Sequence, residues 1–105
     1  MPAINQRDAI HYIATGQQFT ASALSGSSFK NYIMDAGRLN AEEYAKLNQA
    51  MTLEEWVYVV LSYGTPIAWR TSWGWYVVSQ KFSVTTSKHQ NYVRRAIADS
   101  LAGAL

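Results

Sequence analysis

Trp56-Val57-Tyr58-Val59-Val60-Leu61-Ser62-Tyr63-Gly64-Thr65-Pro66-Ile67-Ala68-Trp69-Arg70-Thr71-Ser72-Trp73-Gly74-Trp75-Tyr76-Val77-Val78 is the stretch on which the fold turns. Residues 56–63 are β-branched or aromatic at almost every position and apolar on both alternating faces, which suits a buried central strand. Gly64-Thr65-Pro66 turns the chain, Ile67–Arg70 forms a second strand, and Gly74 allows a tight return into a third strand, Trp75–Val78. Lys81-Phe82-Ser83-Val84 alternates as a half-exposed fourth strand with Phe82 and Val84 inward. Consecutive strands with such short connections make an antiparallel meander.

Helical signals lie on either side of it. Upstream, Asn5 as N-cap, Ala9, Ile10, Ile13 and Ala14 on one face and Gly16 as stop predict a first helix. Gln17–Ser28 is rich in hydroxyls that compete for backbone hydrogen bonds, so it reads as a loop or an edge strand. Phe29, Tyr32, Ile33 and Met34 offer a short apolar patch, either a strand or a single helical turn. Asn40-Ala41-Glu42-Glu43 has the spacing of a capping box and opens a helix to about Met51; Thr52 and Glu55 repeat that spacing. Downstream, Ser87 and Gln90 have it again and start a terminal helix with Val93, Ala96, Ile97, Leu101, Ala104 and Leu105 on its inner face. The expectation is one α+β domain over residues 1–105, a three- to four-stranded antiparallel meander packed against a C-terminal helix, with two short N-terminal helices.

Composition narrows the chemistry. The 105 residues are 49% hydrophobic, enough for a core without staples, and the lack of Cys excludes disulfides, thiolate nucleophiles and Cys-ligated metal. Two His residues 78 positions apart match no metal-ligand spacing, so no metal or cofactor is expected. Asp8 and His11 are spaced for a carboxylate to orient an imidazole, but there is no nucleophile elbow, so no catalytic residue is assigned and an enzyme is not expected. The start of the chain lacks a signal-peptide pattern, and the apolar run Trp56–Leu61 is far short of the roughly 20 residues of a membrane span, so no membrane association is expected. Charge divides unevenly: residues 1–55 carry four bases and six acids, residues 56–105 five bases and one acid.

Two constellations are candidate binding elements. Trp73 and Tyr76 belong to an aromatic cluster with Arg70 and Lys81 beside it, residue types favoured both at protein hot spots and for stacking on nucleobases. Trp73, in a turn where burial is least expected, is the sharpest candidate contact. Thr85-Thr86-Ser87-Lys88-His89-Gln90 enters a helix with hydroxyls, Lys and His, a plausible anion seat or a simple cap, and Arg94 and Arg95 extend its basic face.

The phrases Tyr63-Gly64-Thr65-Pro66-Ile67-Ala68-Trp69, Gly74-Trp75-Tyr76-Val77-Val78 and Phe82-Ser83-Val84-Thr85-Thr86-Ser87-Lys88-His89-Gln90 resemble a family of small uncharacterised proteins of actinobacterial-type phages, prophages and plasmids. The likeness covers about residues 62–95, with Phe19–Gly26 an upstream phrase; Phe82 stands where that pattern has Tyr, and Val78-Ser79 where Val-Pro is common. The resemblance implies a mobile-element origin and work in a bacterial host cytoplasm. It also implies that Tyr63, Thr65, Ile67, Ser83, Thr85, Thr86, Ser87, His89 and Gln90 form one unit, a structural lock or a ligand pocket. It implies no catalytic residue.

Together these readings lead to a small non-enzymatic phage or mobile-element protein that binds a host macromolecule, such as a host enzyme or defence complex, in the manner of an inhibitor. Trp73, Tyr76, Arg70, Lys81, Ser87, Lys88, His89, Gln90, Arg94 and Arg95 are its candidate contacts. The alternatives are an accessory DNA- or RNA-binding protein using the basic C-terminal helix, and a binder of a small nucleotide-like ligand. An uncovered sheet face would favour a homodimer.

Overall fold

A computed structural model describes residues 3–103, with side chains to residue 100. The elements in order are α1 (Gln6–Thr15), β1 (Phe19–Ala21), β2 (Leu24–Lys30), α2 (Ala41–Leu53), β3 (Trp56–Ser62), β4 (Thr65–Thr71), β5 (Gly74–Val77) and α3 (Val84–Gly103). The strands form one antiparallel sheet ordered β1-β2-β3-β4-β5, so the protein is α+β.

The central place of β3 follows from its two apolar faces. Val57 and Val59 pack with Trp69, Val78, and Leu47 and Met51 of α2. Tyr58 and Val60 point the other way and pack with Ala9 and Ile13 of α1 and Val93 and Ala96 of α3. The sheet is therefore the middle of three layers, and both its faces are covered, which removes the uncovered face that would favour a homodimer.

The two N-terminal strands come from the hydroxyl-rich segment. Ser25 and Ser27 alternate with Leu24 and Gly26, and all of β2 pairs with β3 from Leu24↔Ser62 to Lys30↔Trp56. Gly26 makes the pairing possible: a Cβ there would collide with the Tyr58 hydroxyl and the Phe19 ring. The apolar patch after β2 divides, Phe29 ending in the strand and Tyr32–Met34 following as irregular chain.

The expected fourth strand at Lys81–Val84 is not one. Phe82 does pack inward, but Val84 is 89% exposed and begins α3. The reason is capping: Ser83 Oγ accepts the Thr86 N–H at 3.2 Å and the Ser83 carbonyl accepts the Ser87 N–H at 2.9 Å, so the helix starts one turn before the expected Ser87–Gln90 box. Thr52 likewise starts no second helix; its hydroxyl donates to the Asn48 carbonyl at 2.8 Å within α2, which runs on to Leu53. The first helix is bounded as expected, Asn5 Oδ1 accepting the Asp8 N–H and Gly16 closing it in the left-handed region at φ 69°. Val93 and Ala96 are inward in α3 as expected, while the expected inward positions Leu101, Ala104 and Leu105 lie outside the residues whose side chains are described.

Candidate aromatic binding surface

Alternation of strand direction gathers certain segments at one end of the sheet: the chain leaving β2, the start of β3, the β4–β5 turn and the C-terminus of α2. Seven large apolar side chains are exposed among the described residues, and five of them, Tyr32, Ile33, Leu53, Trp56 and Trp73, lie in those segments. The other two, Tyr63 and Val84, are at the opposite end. A group of this kind at one end differs from singly scattered surface apolar residues and makes this end the candidate binding surface.

A groove of about 240 Å³ runs from this end between α2 and the β4–β5 hairpin. Trp69 and Tyr76 form its floor, Ala50 and Leu53 its helix wall, and Trp73, 80% exposed, stands at its mouth. The Trp69 and Tyr76 rings lie 5.0 Å apart, tilted by 33°. At the inner side the Tyr76 hydroxyl donates to the Glu43 carboxylate at 2.8 Å and accepts from Lys46 Nζ at 2.9 Å. Burial pushes the Tyr76 hydroxyl above its ordinary pKa, and the hydrogen bond to Tyr76 holds the Lys46 ammonium above its own, aided by Glu43 and Glu42. At the outer side Glu54 Oε1 accepts the Ser72 N–H at 2.5 Å, which ties the end of α2 to the hairpin turn; hydrogen bonding from the Ser72 side chain, and then from its N–H, holds the carboxyl below its usual range.

Glu43 is where the capping-box expectation changes. Asn40 Oδ1 accepts the Glu43 N–H at 2.9 Å as expected, but the Glu43 carboxylate goes to Tyr76, and the Asn40 N–H donates instead to Gln80 Oε1 at 2.9 Å. Tyr76 at the groove's floor is thus held by Glu43, a residue that the capping-box spacing assigns to the start of the helix.

The ten residues read from sequence as contacts do not form one surface. Trp73 and Tyr76 belong to the groove. Arg70 is on the opposite face of the sheet, its guanidinium 5.9 Å from the Tyr58 ring centroid and 5.8 Å from that of Trp75. Lys81 is exposed beyond β5, and Lys88, Arg94 and Arg95 are exposed on α3, which covers the face remote from α2. Arg94 donates to Asn91 Oδ1 at 3.1 Å.

Ser87 is half-buried, and His89 and Gln90 are buried and bonded within the protein. Gln90 Nε2 donates to the Val78 carbonyl at 2.8 Å. His89 Nδ1 lies 2.6 Å from Ser62 Oγ, Thr86 Oγ1 is 3.1 Å from the same oxygen, and Gln6 Nε2 lies 3.2 Å from His89 Nε2. With the Gln6 amide nitrogen facing Nε2, the pairing fits Nε2 as acceptor and an Nδ1–H that donates to Ser62 Oγ. This arrangement fastens α3 to the end of β3 and to α1. Asp8 and His11 are both exposed on α1.

Among the described residues no group of three His, Cys, Asp or Glu side chains could hold a metal ion, and no helix is long and apolar enough to cross a membrane.

Residues 11–99 match the family of unknown function DUF8033. The chain belongs to that family. The DUF8033 match takes in both walls of the groove and the Ser62, Thr86 and His89 side chains, leaving only Gln6 of that hydrogen-bond network outside it. No curated protein and no solved structure matches the chain.

Proposed function

We propose that this DUF8033 chain is a non-enzymatic binding protein of a phage or other mobile element, engaging a host protein through the aromatic end of its sheet. The observation that carries the reading is the gathering of Tyr32, Ile33, Leu53, Trp56 and Trp73 at that end, beside an aromatic groove. Exposed Trp and Tyr set in a fixed scaffold are the residue types that dominate protein hot spots. The phage origin and the bacterial cytoplasm rest on the resemblance of residues 62–95.

The test is capture from bacterial host lysate with and without nuclease. A discrete protein that survives nuclease, is lost with Trp73→Ala and is retained by Arg94→Ala/Arg95→Ala is the expected result. Recovery of nucleic acid alone, lost with the two arginines and weakening steeply with salt, would overturn the reading in favour of a nucleic-acid-binding helix.

A further inference from the structure

We propose that the groove between α2 and the β4–β5 hairpin receives an arginine or lysine side chain carried on an extended segment of the protein partner. The inference rests on the binding reading above and names the chemistry of what is bound.

Two of the cation–ring contacts share one arrangement, a ring with a cation over its face and a carboxylate holding that cation. Lys30 Nζ lies 5.9 Å from the Trp56 ring centroid and 3.0 Å from Glu55 Oε1. Lys46 Nζ lies 5.1 Å from the Tyr76 ring centroid and 3.6 Å from Glu43 Oε1. Trp73 departs from it. Its ring is 80% exposed with no cation over it among the described residues, while a carboxylate stands beside it: Glu54 is fixed to the adjacent Ser72 through Oε1 and the Ser72 N–H. Trp is the best of the three rings for holding a cation, and a guest cation on Trp73 would have the Glu54 carboxylate beside it.

Charge and backbone agree. Glu54 lines the groove, and Lys46, the base among its lining residues, is already engaged by the Glu43 carboxylate and the Tyr76 hydroxyl. A basic guest is complementary to that surface. Ala50 and Leu53 offer an apolar wall for the methylene stem of an Arg or Lys. β5 is an edge strand with β4 on one side only. The Val78 N–H donates to the Ile67 carbonyl at 2.9 Å, and counting back along the antiparallel ladder places Tyr76 and Gly74 in bonded pairs with β4. The N–H and C=O of Trp75 therefore point outward beside Trp73, where an extended segment can pair with them.

Two peptides test this against the isotope-labelled full chain by NMR titration: acetyl-Leu-Arg-Leu-Arg-Leu-amide and the same peptide with Glu in place of Arg. The expected result is that the arginine peptide shifts the Trp73 indole N–H and the Trp75 amide, with affinity at least about tenfold above that of the glutamate peptide. Trp73→Leu, which keeps apolar bulk without a ring, and Glu54→Gln should each weaken it by about two- to fivefold. Unchanged spectra elsewhere in both variants establish that they fold. Equal binding of the two peptides, shifts confined to α3, or no shift at millimolar peptide would overturn the inference. The broader reading fails separately, when Trp73→Ala leaves capture of the host protein intact. The basic-segment inference fails alone when capture needs Trp73 but the partner segment cross-linked to the groove contains neither Arg nor Lys.

Discussion

His89 is fully buried where β3, α1 and α3 meet, and its neutral form is the one its neighbours require. Burial, with a smaller contribution from Lys88, holds its pKa below the ordinary 6.5. Protonation would set an N–H against the Gln6 amide, which itself donates. Since the folded-state pKa is the lower one, the unfolded chain binds more protons below about pH 6.5. The stabilisation is thus complete above that pH and lost as pH falls toward the folded-state value. Urea denaturation should give lower stability at pH 5 than at pH 7.5, and His89→Gln should level most of that difference; an undiminished slope in the variant would assign it to another group. Gly26 is the other position where one residue decides much, since Phe19 and Tyr58 occupy the space a side chain would need. Gly26→Ala should cost about 1–3 kcal/mol, read from the urea midpoint.

At the scale of elements, α2 is fixed by side chains from distant segments. Gln80 accepts the Asn40 N–H and donates to the Arg38 carbonyl at 2.9 Å, the Tyr44 hydroxyl donates to the Met34 carbonyl at 2.6 Å, and Tyr76 reaches Glu43 and Lys46. Removing the Asn40 side chain loses an ordinary N-cap, so Asn40→Ala should cost about 1 kcal/mol. Tyr76→Phe keeps the ring packed against Trp69 but strips a buried carboxylate of its hydroxyl donor, and should cost about 1–2 kcal/mol by chemical denaturation. A neutral result would mean that Lys46 alone satisfies Glu43. The α2 start also illustrates how sequence spacing and contact diverge: the box spacing identified the cap correctly, whereas the destination of the Glu43 carboxylate depended on a strand more than thirty residues away.

Over the whole molecule, the sheet separates two chemically different sides. α2 carries Glu42 and Glu43 with Lys46, and the aromatic groove lies beneath it, while α1 and α3 carry Arg7, Lys88, Arg94 and Arg95 with Asp8 and Asp99. The contacts first grouped by sequence proximity are thereby divided between opposite faces. Trp73 belongs to the surface and not to the core, so Trp73→Ala should change stability by no more than about 0.5 kcal/mol while eliminating partner capture. A larger stability loss would make Trp73 a structural residue and remove it from the binding surface.

Periodicity and turn chemistry in the sequence by themselves determined the α+β class, the centrality of Trp56–Ser62, the β3–β4–β5 meander, both caps of α1 and the N-cap of α2. These features are legible because each depends on neighbours within a few residues. The N-terminal hairpin was not, since Ser25, Gly26 and Ser27 have weak strand preference and are held by pairing with β3. Nor was the early start of α3, where Ser83 and the consecutive Thr85, Thr86 and Ser87 all offer caps and Ser83 is the one that accepts the Thr86 N–H. The exposure of Trp73 was foreseeable from its place in a turn. Only the tertiary structure brought Leu53, Trp56, Tyr32 and Ile33 to the same end, because strand direction and register, which no local pattern encodes, decide which distant residues share a surface.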